Sequence, residues 1–161
     1  MKCLILWATL LLSIIIPSVS VAEEYAITVT QVGGNLFWEP EREIYIQTEY
    51  CFVDIGTKEV VLNIVDEAGS LIISDKTSCE IKNIFGKAQL EAGAYTITVS
   101  REDDNWYTID GQEAALNTEG CLGSVENVAA ELTVEENGSG TLKLADEECS
   151  VKGIYSKATV E

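Results

Sequence analysis

From residue 22 onward, apolar and polar residues alternate at period two, and no stretch sustains the 3.6-residue period of an amphipathic helix. The alternation predicts strands near 24–31, 36–39, 43–53, 59–66, 71–75 and 79–85. Turn residues punctuate them, as at Gly33-Gly34-Asn35 and Ala68-Gly69-Ser70. Shifted by 70 residues, the same set of strands recurs, with Asp103-Asp104-Asn105 and Gly138-Ser139-Gly140 at the matching turns. Asn137-Gly138 is a strong hairpin signal, and Asn137-Gly138-Ser139 is also a glycosylation sequon.

The recurrence extends to residue identity. Residues 22–91 align with 92–161 without a gap, and 17 of the 70 positions are identical. Average residue usage gives roughly 4. Tyr25, Ile27, Thr28 and Val29 fall on Tyr95, Ile97, Thr98 and Val99, and Cys51 and Cys79 fall on Cys121 and Cys149. The sequence therefore predicts an all-β fold made by tandem duplication of an antiparallel unit of about 70 residues. Two arrangements satisfy it: two small disulfide-stapled barrels or sandwiches packed together, or one pseudo-twofold β-sandwich with a shared core. The expected division is a leader over 1–22, then one β repeat over 23–91 and a second over 92–161.

Shared residues make the fold, so the differences between halves are where specialisation should show. On the hairpin from Glu59 to Asp75, Val60, Leu62 and Ile64 match Ala130, Leu132 and Val134, which marks a common core face. The opposite face of the first half carries Val61, Val65, Leu71 and Ile73, where the second carries Glu131, Glu135, Thr141 and Lys143. Those four apolar residues form a candidate interface, either with the sister repeat or with a partner, a second copy of the chain included. A register slip of one residue would exchange the two faces. Aromatic residues are also uneven. Tyr50 and Phe52 share the parity of Ile44 and Ile46 and are expected in the core, whereas Trp38 and Tyr45 are candidate stacking contacts for a sugar or peptide.

Export follows from the first residues. Met1-Lys2, an apolar run from Cys3 to Ile16, and the small residues Ser20 and Ala22 describe a secretory leader cleaved after Ala22. The run is shorter than a membrane-spanning helix requires, and no later segment is apolar enough to span a bilayer, so no membrane insertion is expected once the leader is removed. The destination is a periplasm or the extracellular space. Four cysteines then remain, and the repeat pairs Cys51 with Cys79 and Cys121 with Cys149, each pair 28 positions apart. On a chain-entropy model each closure contributes roughly 3.5 kcal/mol. Zinc is disfavoured, because no CxxC spacing occurs.

Charge narrows the partners. The chain carries a formal net charge of −17, or −18 without Lys2, and contains no histidine. Nucleic acid and anionic membranes are unsuitable partners for such a surface. The absence of histidine removes Ser-His-Asp and Cys-His catalysis and histidine-based zinc sites. No catalytic residue, metal or cofactor is therefore assigned. The acidic runs Glu102-Asp103-Asp104 and Asp146-Glu147-Glu148 lack EF-hand spacing and read as solvated turns. The expectation is an exported, non-enzymatic protein that binds another protein, a basic one being favoured by charge. Its alternatives are an inhibitor of a basic enzyme, a carboxylate-dependent hydrolase and a structural envelope component.

Overall fold

The computed structural model describes residues 22–65, 68–121, 123–145 and 147–158, with the side chain of Ala68 left aside. The predicted leader lies outside them, except for Ala22. The first half contains β1 (Glu23–Gln31), β2 (Leu36–Glu39), β3 (Ile44–Glu49), β4 (Thr57–Val65), β5 (Ala68–Ser74) and β6 (Thr77–Ala88). The second contains β7 (Gly93–Asp103), β8 (Trp106–Ile109), β9 (Ala114–Glu119), β10 (Val128–Val134), β11 (Gly140–Leu144) and β12 (Glu147–Lys157).

Both halves close on themselves. In the first, antiparallel ladders run β1–β2–β3–β6–β5–β4 and return from β4 to β1. In the second they run β7–β8–β9–β12–β11–β10 and return to β7. Closure satisfies the edge groups that an open sheet would leave unpaired. Each ring has its own core. Val29, Phe37, Ile46 and Leu71 fill one, and Val99, Tyr107, Leu116, Leu132 and Leu142 fill the other. Two separate cores favour the two-barrel arrangement over a shared sandwich. Disulfides Cys51–Cys79 and Cys121–Cys149 tie the loop after β3 to β6 and the loop after β9 to β12. Two such bonds suit an oxidising environment.

The hairpin faces differ from the expectation, and pairing shows why. Leu62 faces Leu71 in the first half, while Leu132 faces Leu142 in the second. Leu71 also pairs with Cys79, and Leu142 with Cys149. Leu71 is thus the partner of Leu142, not of Thr141. The second hairpin turn holds one residue more than the first, and an irregularity between Ile72 and Ser74 restores the offset before Cys79. An ungapped comparison passes over two opposite one-residue shifts, and one shift is enough to exchange faces. Leu71 and Ile73 lie in the barrel core at 0% and 6% exposure. Val61 and Val65 do point outward, half-buried and exposed respectively.

The rings meet where β6 runs antiparallel to β12. Phe85 pairs with Lys157, Gly86 with Ser156, Lys87 with Tyr155 and Ala88 with Ile154. Phe85 and Tyr155 hold the same place in the two halves, as do Lys87 and Lys157, so each half presents the same strand end to the other. The hairpin β4–β5 takes no part in these ladders, which corrects its candidacy as the face between repeats.

Candidate binding site at the seam

Beside the β6–β12 ladder, Leu36, Tyr45, Phe85, Trp106, Ala115 and Tyr155 form a third buried cluster, with Trp38 half-buried at its margin. Tyr45 sits at the centre, 4.5 Å from the ring of Trp38, 4.6 Å from Trp106 and 4.8 Å edge-on to Tyr155. The offset of 70 explains the uneven aromatics. Tyr45 and Ala115 are counterparts, as are Trp106 and Leu36, and all four enter one cluster. Space at the seam is shared, so a large side chain from one half requires a small one from the other.

Polar atoms finish the seam. The Nδ2 amide of Asn117 donates to the Tyr45 hydroxyl at 2.6 Å. Burial pushes the Tyr45 and Tyr155 hydroxyls above the ordinary tyrosine range, and the neighbouring Tyr45 raises Tyr155 further. Tyr45 is therefore a packed structural residue and not an open stacking surface, and Trp38 offers only a margin. The two turns that follow β1 and β7 also touch. The Asn35 N–H donates to Asp103 Oδ2 at 3.1 Å, and a Cβ placed on Gly33 would lie 2.5 Å from Asp103 Cγ.

Between these turns opens a cleft of about 210 Å³. Its first-half wall is Asn35, Leu36, the end of β3 with Gln47, Thr48 and Glu49, and Tyr50 just beyond it, joined by Lys82 from β6. Its second-half wall is Glu102 and Asp103. Lys82 Nζ lies 3.0 Å from Glu102 Oε2, and Gln47 Nε2 donates to the same oxygen at 3.4 Å. The acidic run at Glu102-Asp103-Asp104 is spent on protein contacts: Asp103 accepts the Asn35 and Asp104 N–H groups, and Asp104 pairs with Arg101. Among the described residues no three acids or cysteines converge closely enough to hold a metal ion. Asp146 of the other run lies outside the described residues.

At the rim the chain leaves β3 and turns sharply. Strand β3 ends at Glu49, so the parity that placed Tyr50 and Phe52 in the core does not apply. Tyr50 is 83% exposed and Phe52 90%, while Cys51 between them is buried. The loop is held firmly all the same. Cys51 N–H donates to Asn35 Oδ1, Gln31 Nε2 donates to the Val53 carbonyl, and Ile55 N–H donates to Gln31 Oε1. Tyr50 adopts a left-handed backbone with φ of 51°, where its counterpart Gly120 has φ of 87°. Two solvated aromatic rings thus stand on a disulfide-anchored loop beside the cleft. The signal in the sequence was the pairing of Tyr50 with a glycine, which is a mark of a turn and not of a strand.

No protein-family model, no curated protein and no solved structure matches this chain.

Proposed function

We propose that this is an exported, non-enzymatic binding protein that contacts a protein partner through the loop carrying Tyr50 and Phe52. One observation carries the reading: two aromatic rings at 83% and 90% exposure flank a buried, disulfide-bonded cysteine. Removing each ring from water contributes about 1.5–3 kcal/mol, and aromatic residues are enriched at the centres of interfaces. Backbone strain at a solvated residue supports the same reading, since the ring's own packing does not offset it. The first half provides the contact, and the second provides the matching barrel that braces the seam.

The formal charge of −17 favours a basic partner surface, which steers association and raises its rate. Export is supported by the apolar run from Cys3 to Ile16 and by the two disulfides, which suit a periplasm or an extracellular space. The buried carboxylate of Glu39 accepts the Glu41 and Arg42 N–H groups, so it serves as a turn cap and lends nothing to a hydrolase reading.

Crosslinking capture from a secretome or envelope extract tests the proposal, comparing the wild-type chain with a Tyr50→Gly, Phe52→Ser variant. A partner taken by the wild type and lost in the folded variant supports it. Equal capture by both overturns it.

A further inference from the structure

We infer that Asn137 is the acceptor of an N-linked oligosaccharide, an inference that rests on the export reading above. Asparagine two places before serine or threonine is the residue type and spacing at which such transfer takes place on exported chains. Asn137-Gly138-Ser139 meets it, and no other asparagine of the chain does. The first half has Glu67 and Gly69 at the matching places, so the modification belongs to the second half alone.

A sequon serves only where a transferase can reach it, and the fold sets this one at the tip of a hairpin. Strands β10 and β11 pair as far as Val134 and Gly140. The turn between them is closed by the Glu135 N–H donating to the Ser139 carbonyl at 2.8 Å and the Gly138 N–H donating to the Glu135 carbonyl at 3.0 Å. Glu135, Glu136, Asn137 and Gly138 are all exposed. Gly138 supplies the left-handed backbone of the turn, with φ of 80°, and a Cβ built on it would meet nothing within 4 Å. Open space surrounds the tip.

The Asn137 carboxamide uses only its oxygen within the fold. Oδ1 accepts the Ser139 N–H at 2.9 Å and the Ser139 hydroxyl at 2.7 Å, while Nδ2 donates to no atom of the described residues. A bond made at Nδ2 therefore breaks no contact of the folded chain. The donor is an oligosaccharide carried on a polyprenyl diphosphate. Nδ2 attacks its anomeric carbon, and the carbon–oxygen bond to the diphosphate breaks with the electron pair leaving on that oxygen. Nδ2 gives one proton to a base of the transferase, and nothing is oxidised or reduced. The β10–β11 hairpin takes no part in the β6–β12 ladder, and Tyr50 and Phe52 belong to the other barrel. The bulk of a glycan thus falls on neither the seam ladder nor the barrel that carries the proposed contact.

Expression of the full chain, leader included, in a eukaryotic secretory host tests this, with intact mass and peptide mapping of the secreted protein before and after peptide N-glycosidase. The expected result is a chain heavier by one core oligosaccharide, which the glycosidase removes to leave aspartate at position 137. Asn137→Gln and Ser139→Ala are each expected to abolish the added mass. Ser139→Thr keeps the hydroxyl and is expected to retain it. These changes lie in the turn, so secretion at the wild-type level is expected for every variant. A secreted wild-type chain of unmodified mass, or an added mass that survives Asn137→Gln, overturns the inference alone. A chain held wholly inside the cells overturns the export reading beneath it as well.

Discussion

Tyr50 and Gly120 occupy matching places in the two halves and share a left-handed backbone, with φ of 51° and 87°. For a residue with a side chain this conformation costs about 1–2 kcal/mol. Gly120 shows what the turn alone requires. Tyr50 bears the strain with its ring in solvent, as the proposed contact with a partner would require.

Tyr50→Gly is accordingly expected to leave stability unchanged or to raise it by up to about 1 kcal/mol. Strain relief of about 1–2 kcal/mol exceeds the roughly 0.5–1 kcal/mol lost to glycine's chain freedom. Urea unfolding measures the difference. A loss of more than about 2 kcal/mol would instead assign the ring a packing role.

The contact between Gly33 and Asp103 should be as specific as its geometry. Gly33→Ala places a Cβ 2.5 Å from Asp103 Cγ, so the carboxylate must swing aside, and the change is expected to cost about 0.5–1.5 kcal/mol through the lost Asn35 hydrogen bond. Once Asp103→Gly has removed that bond, Gly33→Ala should add little, giving a coupling above about 0.5 kcal/mol in a double-mutant cycle. Simple additivity would show that the turns do not meet.

The seam tyrosines set an alkaline limit. Burial raises Tyr45 and Tyr155, so the folded state favours their neutral hydroxyls. Their contribution is complete below the ordinary tyrosine value of about 10 and is lost as pH rises through the elevated folded values. Urea midpoints measured from pH 8 to 12 should therefore fall above about pH 10. Tyr45→Phe with Tyr155→Phe should flatten that fall while costing about 1 kcal/mol at neutral pH for the lost Asn117 hydrogen bond.

The faces of the β4–β5 hairpin can be checked by charge. Val65→Glu with Ile72→Lys puts both charges on the outer face, where Val61 pairs with Ile72, and should leave the chain folded. Val65→Glu with Ile73→Lys drives an unpaired ammonium into the first core and should cost at least about 3 kcal/mol. Circular dichroism and urea unfolding of the two variants separate these outcomes.

Much of the fold was legible because it rests on local pattern. Strands β2 and β8 coincide with the alternation at 36–39 and 106–109, and both disulfides follow from the matched spacing of Cys51 with Cys79 and Cys121 with Cys149. Leu71 and Ile73 were misplaced because an ungapped alignment cannot see two compensating shifts, and a single shift reverses every side chain between them. Parity with Ile44 and Ile46 does not reach Tyr50 and Phe52, because the strand ends at Glu49 and the loop begins there. The seam was not legible at all. Tyr45 and Ala115 meet only through the closure of two rings, which is tertiary information that no local window holds.

Binding through the Tyr50–Phe52 loop is tested by the affinity of the captured partner for the wild-type chain and for the Tyr50→Gly, Phe52→Ser variant, measured by calorimetry on samples of matched thermal stability. A loss of affinity of at least tenfold, about 1.4 kcal/mol, is expected with the folded state intact. Unchanged affinity in the variant would contradict it.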